Sequence, residues 1–173
     1  IDSLTGELDS VKVQNDTLFI PITINNLAGH RFPSGTAFAR ESWLELSVLN
    51  SLGDTIFNKG LIVNSSEELD YNDNDLMFYT QVLYDEVNHG GNIINTASDA
   101  YSYKDHTIPT LFYDSKTYTV PLGIEESNNF HIKARMLFRP FKPQIINEFH
   151  SQSTSYIPIF QMDVDSVSIN TQQ

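Results

Sequence analysis

Gly29-His30-Arg31-Phe32-Pro33-Ser34-Gly35 puts an imidazole, a guanidinium and a phenyl ring side by side in one short stretch, between residues that punctuate the backbone. The glycines permit positive φ, and Pro33 fixes one φ while pushing Phe32 towards an extended conformation, so the spacing predicts a stiff loop. A stiff loop that presents an imidazole and a guanidinium can serve a ligand or a metal, because neutral imidazole is a good donor to iron, copper or zinc. Two readings of His30 stand on the residues alone. It is a turn residue that hydrogen-bonds within the loop while Phe32 plugs the end of the fold, or it is a ligand held in position.

The remaining histidines carry less. His89 sits in a Gly-Gly turn, where exposure is expected. His106, in Lys104-Asp105-His106, is placed to hydrogen-bond a neighbouring turn, and His131 falls on the polar face of a strand-like run. His150 ends a predicted helix, where a cation favours the helix dipole. No two histidines have the i, i+4 spacing of a helical metal site. Asp70, Asn72, Asp73, Asn74 and Asp75 have the oxygen-rich composition of a calcium loop. They lack the EF-hand register, with its glycine and its closing glutamate, and read better as a solvated acidic turn. No serine lies in a nucleophile elbow.

The elements that must position the loop follow from alternation. Leu18, Ile20, Ile22 and Ile24 alternate with Thr17, Phe19, Pro21 and Thr23, a strand with one face on a core. Pro21 cannot donate to a ladder and predicts an edge strand or a bulge. Glu41 to Asn50, the turn Ser51-Leu52-Gly53-Asp54 and Thr55-Ile56-Phe57 read as a hairpin. A strand is expected from Leu76 to Tyr84, with Val87 to Asn92 as the turn of a second hairpin. Lys116 to Leu122 is a further strand. Phe130, Ile132, Ala134, Met136 and Phe138 face one way, and His131, Lys133, Arg135, Leu137 and Arg139 the other. Tyr156 to Asn170 supplies one or two more strands. Only residues 142–150, KPQIINEFH, have helical spacing, with Pro143 suited to a first turn. The expected fold is all-β, an antiparallel two-sheet β-sandwich of immunoglobulin-like or jelly-roll-like form with one short helix near 142–150, spanning residues 1–173 as a single domain.

Composition narrows the function. Ten Lys and Arg against 22 Asp and Glu leave a formal charge of -12. Such a surface repels phosphate backbones and anionic lipid, which argues against nucleic acid and polybasic membrane docking. No apolar run is long enough to span a bilayer, and there is no signal-peptide pattern. The first residue is Ile1, so a processed chain or a piece of a longer one is expected, and the missing signal says nothing about export. There are no cysteines, hence no disulfide, no zinc-thiolate site and no CxxCH for covalent haem attachment.

The stretch GHRFPSGTAFARESWLELSVLNSLGDTIFNKG resembles a segment of the β-sandwich portion of large multihaem c-type cytochromes, roughly N-x-x-G-H-x-x-P-[ST]-G followed by R-x-x-W-L-x-[VL]-x-V and a short turn. Residues 78–109 resemble the family's second block, which ends in a K-D-x-x-x-P turn. IKARMLFRPFKPQII is similar to its third, an A-R-L-x-[YF]-R strand leading into a helix. The resemblance runs from about Asn25 to Ile146. It departs from the family in having no CxxCH, in having His106 where many relatives have Asn, and in having Phe32 where many have Leu.

The resemblance implies a haem-free accessory domain or subunit of an extracytoplasmic multihaem assembly, periplasmic, secreted or at the cell surface. That domain supports electron transfer by packing on haems and shielding their edges. His30 is then a candidate distal axial ligand to haem iron, since covalent attachment supplies only the proximal histidine. Arg31 is a candidate partner for a haem propionate, or else a surface ion pair. The haem c itself would sit on a partner cytochrome polypeptide or a missing segment, in an assembly or polymer, and no enzymatic activity is expected of these residues. The rival from another class is a carbohydrate-binding or adhesion-type sandwich module, in which Trp43 and other aromatics would stack on sugar rings.

Overall fold

The alternation of β3 (Thr17–Asn26) is carried through with one face fully buried: Leu18, Ile20, Ile22 and Ile24 are at most 1% exposed. The computed structural model describes residues 4–8, 11–123, 129–149 and 156–170. β3 pairs antiparallel with β10 (Tyr113–Pro121) along one edge, and with β1 (Leu4–Leu8) and β2 (Lys12–Gln14) along the other. Pro21 therefore lies in an inner strand rather than at an edge. β1 reaches only to Ile22 and β2 only to Phe19, so the break between them falls beside Pro21, where a missing N–H costs no ladder bond.

The facing sheet has the order β12 (Phe160–Asn170), β11 (Asn129–Arg139), β4 (Glu41–Asn50) and β5 (Thr55–Lys59), all antiparallel, with β6 (Phe78–Tyr79) also on β4. Leu44, Leu46 and Val48 of β4 and Phe130, Ile132, Ala134 and Met136 of β11 meet the β3 stripe and Tyr118 and Val120 of β10 in the main core. The fold is thus an all-β antiparallel sandwich. A third, small sheet is added to the two expected: β7 (Gln81–Tyr84) between β8 (Ile93–Ile94) and β9 (Ser102–Asp105). The expected strand from Leu76 to Tyr84 is split at Thr80 between this sheet and the sandwich. Buried Thr80 donates its hydroxyl towards the carbonyls of Ala37 (2.9 Å) and Arg40 (2.6 Å), and those loop contacts redirect the chain.

The outer face of the β4–β11 sheet is also buried at one end. Residues 60–77 fold over it, and their Leu69 and Leu76 pack in one buried cluster with Trp43 and Leu137. Arg139, read from its parity as a polar-face residue, is wholly buried there against Glu41, and Arg135 pairs with Glu45 (Nε to Oε1 2.8 Å). Both are directly opposed in the β4–β11 register. The tyrosine hydroxyl of Tyr71 donates to the same Glu41 carboxylate. Lys142 of the turn before the helix is buried beside them, donating to Gln81 O (3.0 Å) with its ammonium 5.0 Å from the Tyr71 ring centroid. The helix α1 (Pro143–Phe149) follows where the proline and the spacing of Ile145 and Ile146 predict it. His150 lies outside the described residues.

Candidate functional site

The parity that buries Leu18 through Ile24 continues one step further, onto Asn26, which is 0% exposed at the end of β3. A buried amide at the end of an apolar stripe must find partners. Its Nδ2 donates to the carbonyls of His30 (2.8 Å), Ile108 (3.0 Å) and Pro109 (3.0 Å), while Oδ1 accepts the Ala28 N–H (3.0 Å). One side chain thus fastens the histidine loop to residues 108–109. Four residues beyond Ala28, Phe32 forms a bridge with Ile108, each donating its N–H to the other's carbonyl (2.9 and 2.8 Å). Phe32 is buried at the end of the core, its ring 6.5 Å from that of Phe138, and the Phe32–Pro33 peptide is cis. Phe32 does plug the end of the sandwich, as the first reading of the loop has it.

His30 and Arg31 are both exposed between these two anchors. His30 Nδ1 lies 2.9 Å from Arg31 O, and a carbonyl only accepts, so Nδ1 carries a hydrogen. Such a carbonyl bond is the usual device for fixing the tautomer of a ligating histidine. It is also the bond within the loop that the turn reading expects. The donor set fits one axial position at an iron: a single imidazole, with no cysteine to attach a porphyrin. Among the described residues no group of three or more metal-ligating side chains comes together.

Arg31 is engaged inside the chain. Its Nη1 donates to Asp105 Oδ2 (2.8 Å) and Thr107 Oγ1 (3.1 Å), and Asp105 Oδ1 in turn accepts from the Thr107 N–H (3.1 Å) and hydroxyl (2.6 Å). The guanidinium, half exposed, forms a surface ion pair that holds the loop against the end of β9. Gly35 uses its freedom at φ 72°, but Gly29 has no positive φ and open space around it, so only one of the bracketing glycines is required by the backbone.

The other candidates are accounted for by local structure. His106 is half-buried, its ring 4.7 Å from Phe78; burial, with Lys104 next, lowers its pKa below the ordinary histidine value, while its backbone N–H reaches Thr80 O (2.9 Å). His89 Nε2 lies 2.9 Å from Tyr103 O, and His131 Nδ1 lies 3.0 Å from Ser168 Oγ. In the acidic turn, the carboxylates of Asp70 and Asp73 accept the N–H groups of Asn72 and Asp75, and Lys59 pairs with Asp73 and Lys116 with Asp75. The hydrogen bond from Lys59 holds the Asp73 carboxyl below the usual range. Trp43 is fully buried, donating Nε1 to Gly60 O (2.9 Å) beneath the Arg139 guanidinium, so it is not a surface on which a sugar could stack.

The residue type of Asn26 does not by itself mark this role, but it stands at the first place of the N-x-x-G-H pattern and at the next inward position of the β3 stripe. Both signals point to it. The first two blocks of the resemblance meet at this site, since Asn26, Arg31 and Phe32 all contact residues 105–109. The third block meets the first through the Arg139–Glu41 and Arg135–Glu45 pairs.

No family model matches the chain, and no curated protein matches it. Among solved structures the chain is similar to a penta-heme cytochrome c552 from Thermochromatium tepidum, with 15% sequence identity and a TM-score of 0.72. The match covers 96% of this chain and 40% of the cytochrome, so the chain spans less than half the length of that protein. At that identity the likeness is one of fold.

Proposed function

We propose that this chain is an accessory β-sandwich, without enzymatic activity of its own, that packs on a haem-bearing cytochrome polypeptide outside the cytoplasm. The observation that carries this reading is the match of nearly the whole fold to part of a penta-heme cytochrome, in a chain without a cysteine to attach haem. If the two share a role as well as a fold, the haems belong to another polypeptide or another segment, and this sandwich covers them. Among the described residues no helix is long and apolar enough to cross a membrane.

Within this reading His30 is the axial ligand. Its exposure and the double anchoring of its loop through Asn26 and Phe32 support that role. When bound, haem supplies the electron-carrying centre; the chain supplies one imidazole held in orientation and a rigid cover. Native material isolated through this chain should carry a Soret band and contain a CxxCH-bearing polypeptide. His30→Ala should then convert one haem from low spin to high spin while costing the chain at most about 1 kcal/mol of stability. Colourless native material with no haem-bearing partner would overturn the proposal. Native material that keeps an all-low-spin spectrum after His30→Ala would remove the ligand role and leave the packing role.

A further inference from the structure

Between the histidine loop and the start of β12 lies a groove of about 390 Å³, within the size range of small-molecule sites. Its walls are Phe32 and Pro33 of the loop, Phe138 of β11, and Phe160 and Met162 of β12. The one charged side chain in the lining is Arg40. Its Nη1 donates to Ser34 O (2.9 Å), which lays the guanidinium along Gly35; a Cβ on that glycine would come within 3.3 Å of Nη1. Of the four arginines, in a chain with 22 acidic side chains against 10 basic, Arg31, Arg135 and Arg139 each pair with a carboxylate. Arg40 pairs with none among the described residues.

We propose that this groove binds an amphiphilic monocarboxylate, a hydrocarbon chain ended by one carboxylate. The hydrocarbon lies against Phe32, Phe138, Phe160 and Met162, and the carboxylate takes N–H groups of Arg40 that the Ser34 carbonyl does not use. A planar guanidinium matches a carboxylate, and next to apolar walls that pairing is less screened than in open water. The site uses neither His30 nor Arg31, so it stands apart from the haem reading.

The test uses the full chain with octanoate and, as the neutral counterpart, octanol, followed by calorimetry and by amide chemical shifts. Octanoate should saturate a single site, shift the amides of Ser34, Gly35, Gln161 and Met162, and bind about tenfold more tightly than octanol. Arg40→Gln should weaken octanoate about tenfold and leave octanol unchanged. Met162→Asp, at a partly exposed position that tolerates a polar side chain, should repel octanoate by putting a carboxylate into the same groove, and it serves if Arg40→Gln does not fold. Equal binding of octanoate and octanol, shifts confined to other residues, no saturation up to about 5 mM, or indifference of octanoate to the substitutions would each overturn the proposal.

Discussion

Replacing Asn26 by alanine removes four hydrogen bonds at once and leaves their partners behind. Of those partners, Ile108 O keeps the Phe32 N–H and Pro109 O keeps the Phe112 N–H, and the partly buried His30 carbonyl can recruit water; the buried Ala28 N–H loses its acceptor. A buried polar group left unsatisfied costs about 1–3 kcal/mol, so the substitution should cost about 2 kcal/mol, with little added by the small cavity. Asn26→Asp makes a sharper comparison, because it has the same shape. The aspartate keeps the acceptor for Ala28 but turns a second oxygen, with its charge, towards three carbonyl oxygens. It should therefore cost more than alanine does, unless the carboxyl takes up a proton, in which case the penalty shrinks as the pH is lowered. Urea denaturation with an unchanged slope measures the loss, and amide hydrogen exchange should show earlier opening at Ala28, Phe32 and Ile108. A loss below about 1 kcal/mol for alanine, or an aspartate variant at neutral pH no worse than the alanine one, would refute the account of Asn26 as the clamp of the histidine loop.

Burial pushes the Lys142 ammonium down to about 8, against the favourable field of Glu41. The folded chain thus loses this proton at lower pH than the unfolded chain does, so stability should rise by about 2 kcal/mol between pH ~8 and ~10. Above that range burial holds the Tyr71 and Tyr79 hydroxyls protonated in the fold, and the trend reverses as unfolded tyrosines ionise. Denaturant titrations across this range should show the rise in the parent and its absence in Lys142→Met; a flat parent profile would refute it. Glu41→Ala, which strands the buried Arg139 guanidinium, should cost about 3–5 kcal/mol, and Glu41→Leu combined with Arg139→Met should recover much of that loss in the same measurement. Gly60→Ala should be severely destabilising, since its Cβ would lie 2.3 Å from Leu44 O at φ 69°. Gly29→Ala, with open space around it, should fall within about 0.5 kcal/mol of the parent by thermal melting.

The sandwich was legible from the sequence because strand alternation is a local property. Residues that point the same way in β3 or β11 do so whatever they pack against, so the stripes Leu18 to Ile24 and Phe130 to Met136 identify their own buried faces. The β4–β5 hairpin was legible for a similar reason, since its turn chemistry lies within a few residues: Asn50 Oδ1 accepts the N–H groups of Leu52 and Asp54, and Gly53 supplies φ 87°. The helix at Pro143–Phe149 followed from a proline and two isoleucines.

What lies on the second face of a strand was decided elsewhere in the chain. Alternation puts Trp43 and Arg139 opposite the main core, but whether that face is wet depends on residues 60–77, which fold over it and turn polar-face positions into a second buried layer. The inner position of Pro21 likewise depends on where β1 and β2 stop along β3. The candidate site shows the same division. The sequence by itself determined that a histidine and an arginine share a stiff loop with no cysteine anywhere to hold a haem. Only the tertiary structure gave Arg31 to Asp105, left Arg40 beside an apolar groove, and bonded Asn26 to a loop more than 80 residues away in sequence. Pairings at such separation depend on which strands become neighbours, and strand order is a property of the whole sheet rather than of any one segment.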